Sequence, residues 1–103
     1  MSFLRKLFRI APPLDYKQLV NDGALIIDVR SKGEFSRGHI RNSKCIPLER
    51  INQESNKIKK DQPIILCCRS GSRSGMARRM LQQKGHTQVY NGGSWLGLQN
   101  KLK

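Results

Sequence analysis

A chain of 103 residues has room for one hydrophobic core and not for a second. With 37% apolar and 26% charged residues it reads as a folded globular protein, and it holds no apolar run long enough to span a bilayer. Twenty Lys and Arg against seven Asp and Glu give a net charge of +13, but these basic residues are spread along the chain and the few aromatics are not interleaved with them, which speaks against nucleic acid as the main partner.

The first ten residues, MSFLRKLFRI, set Phe3, Leu4, Leu7, Phe8 and Ile10 against Arg5, Lys6 and Arg9 at helical spacing. The stretch lacks the continuous apolar core and small-residue cleavage site of a secretory signal. Residues 1–11 are therefore expected to form an amphipathic basic segment that packs on the rest of the chain; a weak peripheral contact with an anionic membrane is its other destination. Residues 12–103 are expected to form a single domain, opened by Pro12 and Pro13. Residues 14–20 read as a short helix stopped at Asp22-Gly23, and residues 24–29 (ALIIDV) as a buried strand. Residues 31–37 read as a loop and a helical turn carrying Glu34 and Phe35, and residues 44–46 as a brief strand closed by Pro47. Residues 48–60 read as an exposed helix anchored by Leu48, Ile51 and Ile58, and residues 63–67 (PIILC) as the second buried strand. A helix follows from residue 72 or 73 to 84, with Met76, Met80 and Leu81 on one face and Gly85 as its stop. Residues 87–90 read as a strand, Asn91-Gly92-Gly93 as a turn, and residues 94–102 as a last helix bearing Trp95 and Leu98. Short apolar strands alternating with helices predict an α/β fold: a three-layer domain with a small parallel sheet flanked by helices on both faces.

Cys45, Cys67 and Cys68 have neither disulfide-framework nor metal-site spacing, and His39 and His86 stand alone, so a reducing, cytoplasmic compartment and no metal are expected. In a parallel sheet, ligands bind where strands end and helices begin. The strongest such junction is PIILC-CRSGSRS-GMARRML. A thiol attacks as its thiolate, which is a minor species at neutral pH for a free cysteine of pKa about 8.5. A helix N-terminus and nearby arginines lower that pKa, and successive backbone N–H groups in a tight loop nest an anion. Gly71 allows the backbone to turn, Ser70 and Ser72 add hydroxyl donors, and Arg69 and Arg73 bring positive charge. Cys68 is thus the candidate nucleophile, with Arg69, Ser70, Gly71, Ser72 and Arg73 as its anion cradle. Cys45 and Cys67 read as small buried apolar residues.

Besides CRSGSRS, the chain carries IIDVRSKGEFSRGHI, then IPL ahead of a helical stretch, then NGGSW. In this order and spacing, from about residue 15 to 98, the sequence resembles the rhodanese family of sulfurtransferases. The resemblance implies a rhodanese-like domain in which Cys68 takes a sulfane sulfur from thiosulfate or a persulfide donor. The resulting Cys68 persulfide passes that sulfur to cyanide, a thiol or a thioredoxin-like protein. It implies no metal and no organic cofactor. Asp28 and Glu34 become structural residues near the loop, and Arg30 a candidate for holding an anionic donor, with an ion pair to Asp28 or Glu34 as its other role. His39 reads as a structural histidine, since transfer by an activated thiolate needs no base beside it.

Two other readings use the same letters. Cys67-x5-Arg73-Ser74 formally fits a cysteine phosphatase signature, whereas Cys68-x4-Arg73 is the shorter loop that the family likeness links to sulfur transfer. The apolar strand runs through Cys67, Gly71 stands three residues after Cys68, and no Asp is placed as the general acid that a phosphatase needs. The third reading is a non-catalytic rhodanese-like binding module, against which the intact cysteine and loop speak.

Overall fold

The computed structural model describes residues 14–103, so the expected amphipathic segment and its packing or membrane contact lie outside the described residues. Helix α1 (Tyr16–Asn21) is capped by Asp15, whose carboxylate accepts from the Gln18 N–H. It leads into β1 (Leu25–Asp28), then α2 (Lys32–Ser36) and the short β2 (Lys44–Cys45). A broken helical segment follows: a 3₁₀ turn (Leu48–Arg50), α3 (Ile51–Glu54) and a second 3₁₀ turn (Ser55–Lys57). The chain continues through β3 (Ile64–Cys68), α4 (Ser72–Gln83), β4 (Val89–Ser94) and α5 (Trp95–Lys101). All strand pairs are parallel and the order is β2-β1-β3-β4, the architecture expected from the alternating pattern. No helix among the described residues is long and apolar enough to cross a membrane.

Strand pleating divides the core into two layers. Ile27, Val29, Ile64, Leu66 and Cys68 face α4 and the broken segment, meeting Ile46, Ile51, Ala77, Leu81 and Val89. Ile26, Ile65 and Cys67 face the opposite way, meeting Ile40 and Leu98 with Tyr16, Leu19 and Trp95 around them. Both faces of β1 and β3 are covered, which is why their sequences are continuously apolar rather than alternating.

Four expectations change in the fold. Residues 48–60 form three short pieces, ending at Lys57, instead of one exposed helix; Leu48, Ile51 and Ile58 pack on the core, and the Ser55 hydroxyl donates to the Asn52 carbonyl at 2.7 Å. On α4 the inner stripe is Ser74, Ala77 and Leu81, while Met76 is exposed. β3 extends one residue further, making Cys68 its last residue. Asn91-Gly92-Gly93 is not a turn but part of β4: Leu66 pairs with Asn91 and Cys68 with Ser94, so β4 carries one extra residue as a bulge. A Cβ on Gly92 would meet the Leu66 carbonyl oxygen and Leu98 Cδ2 at 2.9 Å, and Gly93 has φ +83°. The two glycines therefore belong to a bulge pressed against β3.

His86, just past α4, is 3% exposed and neither ring nitrogen has a hydrogen-bond partner among the described residues. Burial, then the nearby Lys60 charge, push its pKa below the ordinary 6.5, with the backbone of Ser55 and Lys59 offsetting part of this. The unfolded chain therefore binds the proton more readily. The stability that His86 contributes is complete above about pH 6.5 and is lost as pH falls toward the folded value, by at most about 1.4 kcal/mol per pH unit. Urea midpoints at pH 7.5 and 5.5 are expected to separate less in His86→Leu than in the wild type; equal separations would remove His86 from the acid response.

Candidate active site

The site lies where β3 runs into α4. Cys68 ends the strand 1% exposed, and the chain turns through Arg69 and Ser70 to Gly71, the cap of α4. Gly71 has φ +101°, a left-handed conformation that favours glycine, and a Cβ there would sit 3.3 Å from Gly93 Cα. Glycine against glycine lets the start of α4 close on the bulge of β4.

This turn aims donors at sulfur. The Gly71 N–H reaches Cys68 Sγ at 2.9 Å, and Ser74 Oγ lies 3.4 Å from it. Burial raises the Cys68 pKa, but the bonds open to the ionised sulfur, from the Ser74 hydroxyl when it turns to Sγ and from the backbone N–H groups of Ser74, Gly71 and Ser70, outweigh it, and the pKa ends below its ordinary value. Cys67 shows the opposite balance. Its side chain is fully buried in the other layer, among Ile26, Ile65 and Leu98, and burial followed by the Asp28 charge pushes its pKa up to about 12. Cys67 is therefore a protonated core thiol at neutral pH. Cys45, half-buried on β2, is also raised, first by burial and then by Asp28.

The loop arginine Arg69 is exposed on a cleft of about 360 Å³ that it shares with Arg30, Glu34, Arg37, Trp95 and Leu96. Ser70 and Ser72 are exposed, and among the described residues neither side chain bonds the loop backbone. Arg73 and Arg30, expected to meet an anionic substrate, are both engaged by carboxylates. Arg73 forms a two-pronged pair with Glu34 at 2.7 and 3.0 Å, tying α4 to α2. That guanidinium, then the Ser31 backbone N–H in the capping box of α2, holds the Glu34 carboxyl well below the usual range. Arg30 is 4% exposed; its Nε donates to both Asp28 oxygens at 2.9 and 3.0 Å, and its Nη2 to Asp28 Oδ2 and the Gly38 carbonyl, each at 2.7 Å. Its guanidinium also lies 4.8 Å from the centre of the Trp95 ring. Of the two ion-pair partners considered for Arg30, the fold uses Asp28. His39 stacks on Phe35 at 3.8 Å and contacts the Phe35 carbonyl, away from the sulfur network.

Two site residues escaped the sequence reading. Ser74 stands in the CRSGSRS motif and the phosphatase pattern, and Asn91 in NGGSW and a turn, without a role of its own for either. In the fold the Ser74 hydroxyl donates to Asn91 Oδ1 at 2.7 Å, and Asn91 Nδ2 donates to the Gly71 carbonyl at 3.1 Å. The spacing Cys68-x5-Ser74 places the hydroxyl on the first turn of α4, a signal that could have identified it. A cavity of about 680 Å³ lies at the other end of β1 beside Ala24, Leu25 and Leu102, and none of the loop residues lines it.

Comparison with known proteins matches this arrangement to one family. A sequence model described as "Rhodanese-like domain" matches residues 13–99. The uncharacterized protein YqhL of Bacillus subtilis is 43% identical over 68 residues, which are 66% of this chain and 54% of that protein. The chain thus spans about half the length of that relative. A protein of Stutzerimonas stutzeri named thiosulfate sulfurtransferase GlpE is 30% identical, covering 82% of this chain and 77% of the relative. Among solved structures, a rhodanese with anions from E. coli superposes with a TM-score of 0.69 at 26% identity, covering 73% of this chain and 91% of that one.

Proposed function

The chain belongs to the rhodanese-like domain family, and on that premise we propose that it is a sulfurtransferase working through a Cys68 persulfide. The observation that carries this reading is the Gly71 N–H on Cys68 Sγ at 2.9 Å, in a loop whose donors pull that thiol below its ordinary pKa. The Cys68 thiolate attacks the outer sulfur of thiosulfate, the S–S bond of the donor breaks, and sulfite leaves with the bonding electron pair. A Cys68 persulfide remains, its outer sulfur facing the N–H groups of residues 69–73, and Arg69 at the cleft draws in the anion. Attack by cyanide or an acceptor thiolate on that outer sulfur yields thiocyanate or a new persulfide and returns the Cys68 thiolate. Two half-reactions on one sulfur give ping-pong kinetics. Arg30, Asp28, Glu34 and Arg73 act in this scheme as the frame that fixes the loop, through the two ion pairs. A persulfide donor, or a thioredoxin-like protein as acceptor, fits the same chemistry.

Incubation with thiosulfate followed by intact-mass and peptide analysis is expected to show one added sulfur atom on the Cys68 peptide, removed by cyanide as thiocyanate forms. No sulfur on that peptide, with hydrolysis of an aryl phosphate instead, would transfer the site to phosphoester chemistry. Neither activity would leave the non-catalytic binding module.

A further inference from the structure

While Cys68 is protonated, the hydrogen atoms of the Asn91–Ser74 pair are set by their partners. The Gly93 N–H, which can only donate, lies 3.0 Å from one end of the Asn91 amide, so that end is Oδ1. The other end lies 3.1 Å from the Gly71 carbonyl, which can only accept, so it is Nδ2. Ser74 Oγ, 2.7 Å from Oδ1, must donate to it, because a carbonyl oxygen has no hydrogen to give. A hydroxyl has a single hydrogen. With it on Asn91, Ser74 presents a lone pair to Cys68 Sγ at 3.4 Å. That contact suits a thiol, whose S–H can donate to Ser74, and repels a thiolate. Ser74 can bond ionised Cys68 only by turning its hydrogen away from Asn91.

We propose that Asn91 is a positioning residue that sets the thiolate fraction of Cys68 by competing with its sulfur for the single Ser74 hydrogen. The inference rests on the reading of Cys68 as nucleophile. When Cys68 ionises, the Ser74 hydroxyl rotates from Oδ1 to Sγ, and Oδ1 keeps the Gly93 N–H. The same amide grips the Gly71 carbonyl and so steadies the residue whose N–H reaches Sγ. Asn91 thus has two opposed effects: its hold on Gly71 favours the thiolate, and its hold on Ser74 favours the thiol.

Charged and titratable neighbours are accounted for separately. Around Cys68 stand Arg73, paired with Glu34 of α2, the Asp28–Arg30 pair at the end of β1, and Cys67 on β3. Tyr16 of α1 donates to the Asn91 backbone carbonyl at 3.3 Å. Among the described residues, none of these shares a side-chain hydrogen bond with the Ser74 hydroxyl or the Asn91 amide.

The test is a double-mutant cycle on the full chain, reading the pH dependence of iodoacetamide alkylation at the Cys68 peptide. Asn91→Ala frees the Ser74 hydrogen, so the apparent Cys68 pKa is expected about 0.5–1 unit lower relative to the same change made in Ser74→Ala. Loss of the grip on Gly71 is common to both backgrounds and cancels. Asn91→Asp keeps an acceptor and strengthens it, so its coupling to Ser74 is expected with the opposite sign; its added charge also cancels in the cycle. This second variant decides the matter if Asn91→Ala does not fold. Zero coupling, or coupling of the same sign for both variants, would overturn the proposal. Alkylation needs no sulfur donor, so coupling without sulfur transfer would count against the sulfurtransferase reading alone.

Discussion

Cys68→Ser is expected to abolish sulfur loading and to lower transfer from thiosulfate by about three orders of magnitude or more, the scale on which an enzyme loses its nucleophile. Cys67→Ala is expected to leave transfer close to wild type and to reduce stability instead, since it removes a sulfur packed with Ile26, Ile65 and Leu98. Adjacent residues on a strand point to opposite faces, so two neighbouring thiols share almost nothing chemically. One meets the Gly71 N–H and the Ser74 hydroxyl and is lowered; the other meets apolar side chains and the Asp28 charge and is raised to about 12. The readout is thiocyanate formation with thiosulfate and cyanide, alongside a urea midpoint for each variant. Transfer retained in Cys68→Ser and lost in Cys67→Ala would reverse the assignment and restore the longer loop.

The parts of this site that could be read from sequence are those set by local chemistry. ALIIDV and PIILC declare buried strands through β-branched runs, and Gly71 after Cys68 declares a turn, because each signal lies within a few residues. Asn91-Gly92-Gly93 departs from the turn it suggests for the complementary reason. A glycine pair says turn locally, but the need for glycine here comes from Leu66, Leu98 and Gly71, which reach β4 only after the sheet has formed. The same holds for Ser74, whose partner Asn91 is 17 residues away, and for Arg73, whose partner Glu34 is 39 away. Residues 48–60 carry helix-forming residues in number, and Ile51 and Ser55, four apart, share the face that a continuous helix would also bury, so no local signal marks the 3₁₀ turns on either side of α3.

Asp28→Ala is expected to cost about 3–5 kcal/mol, a large share of the roughly 5–15 kcal/mol typical of a whole domain, because it strands the Arg30 guanidinium in the interior. Asp28 is fully buried and Arg30 is 4% exposed, so water cannot take over the lost bonds. The pair also joins elements: through Arg30, the end of β1 is bonded to the Gly38 carbonyl beyond α2 and stacked on Trp95 of α5. Arg30→Lys would keep the charge but lose the fork that meets both carboxylate oxygens, and is expected to be destabilising as well. Replacing both partners, Asp28→Ala with Arg30→Met, removes the stranded charge and is expected to cost less than the sum of the single changes. This double variant also separates the two roles open to Arg30. As an anchor, Arg30 acts on the donor only through the frame, so the folded double variant should keep the wild-type KM for thiosulfate. A guanidinium that held the donor directly would instead raise that KM in the double variant, even where the urea midpoint recovers, and would return Arg30 to the binding of substrate.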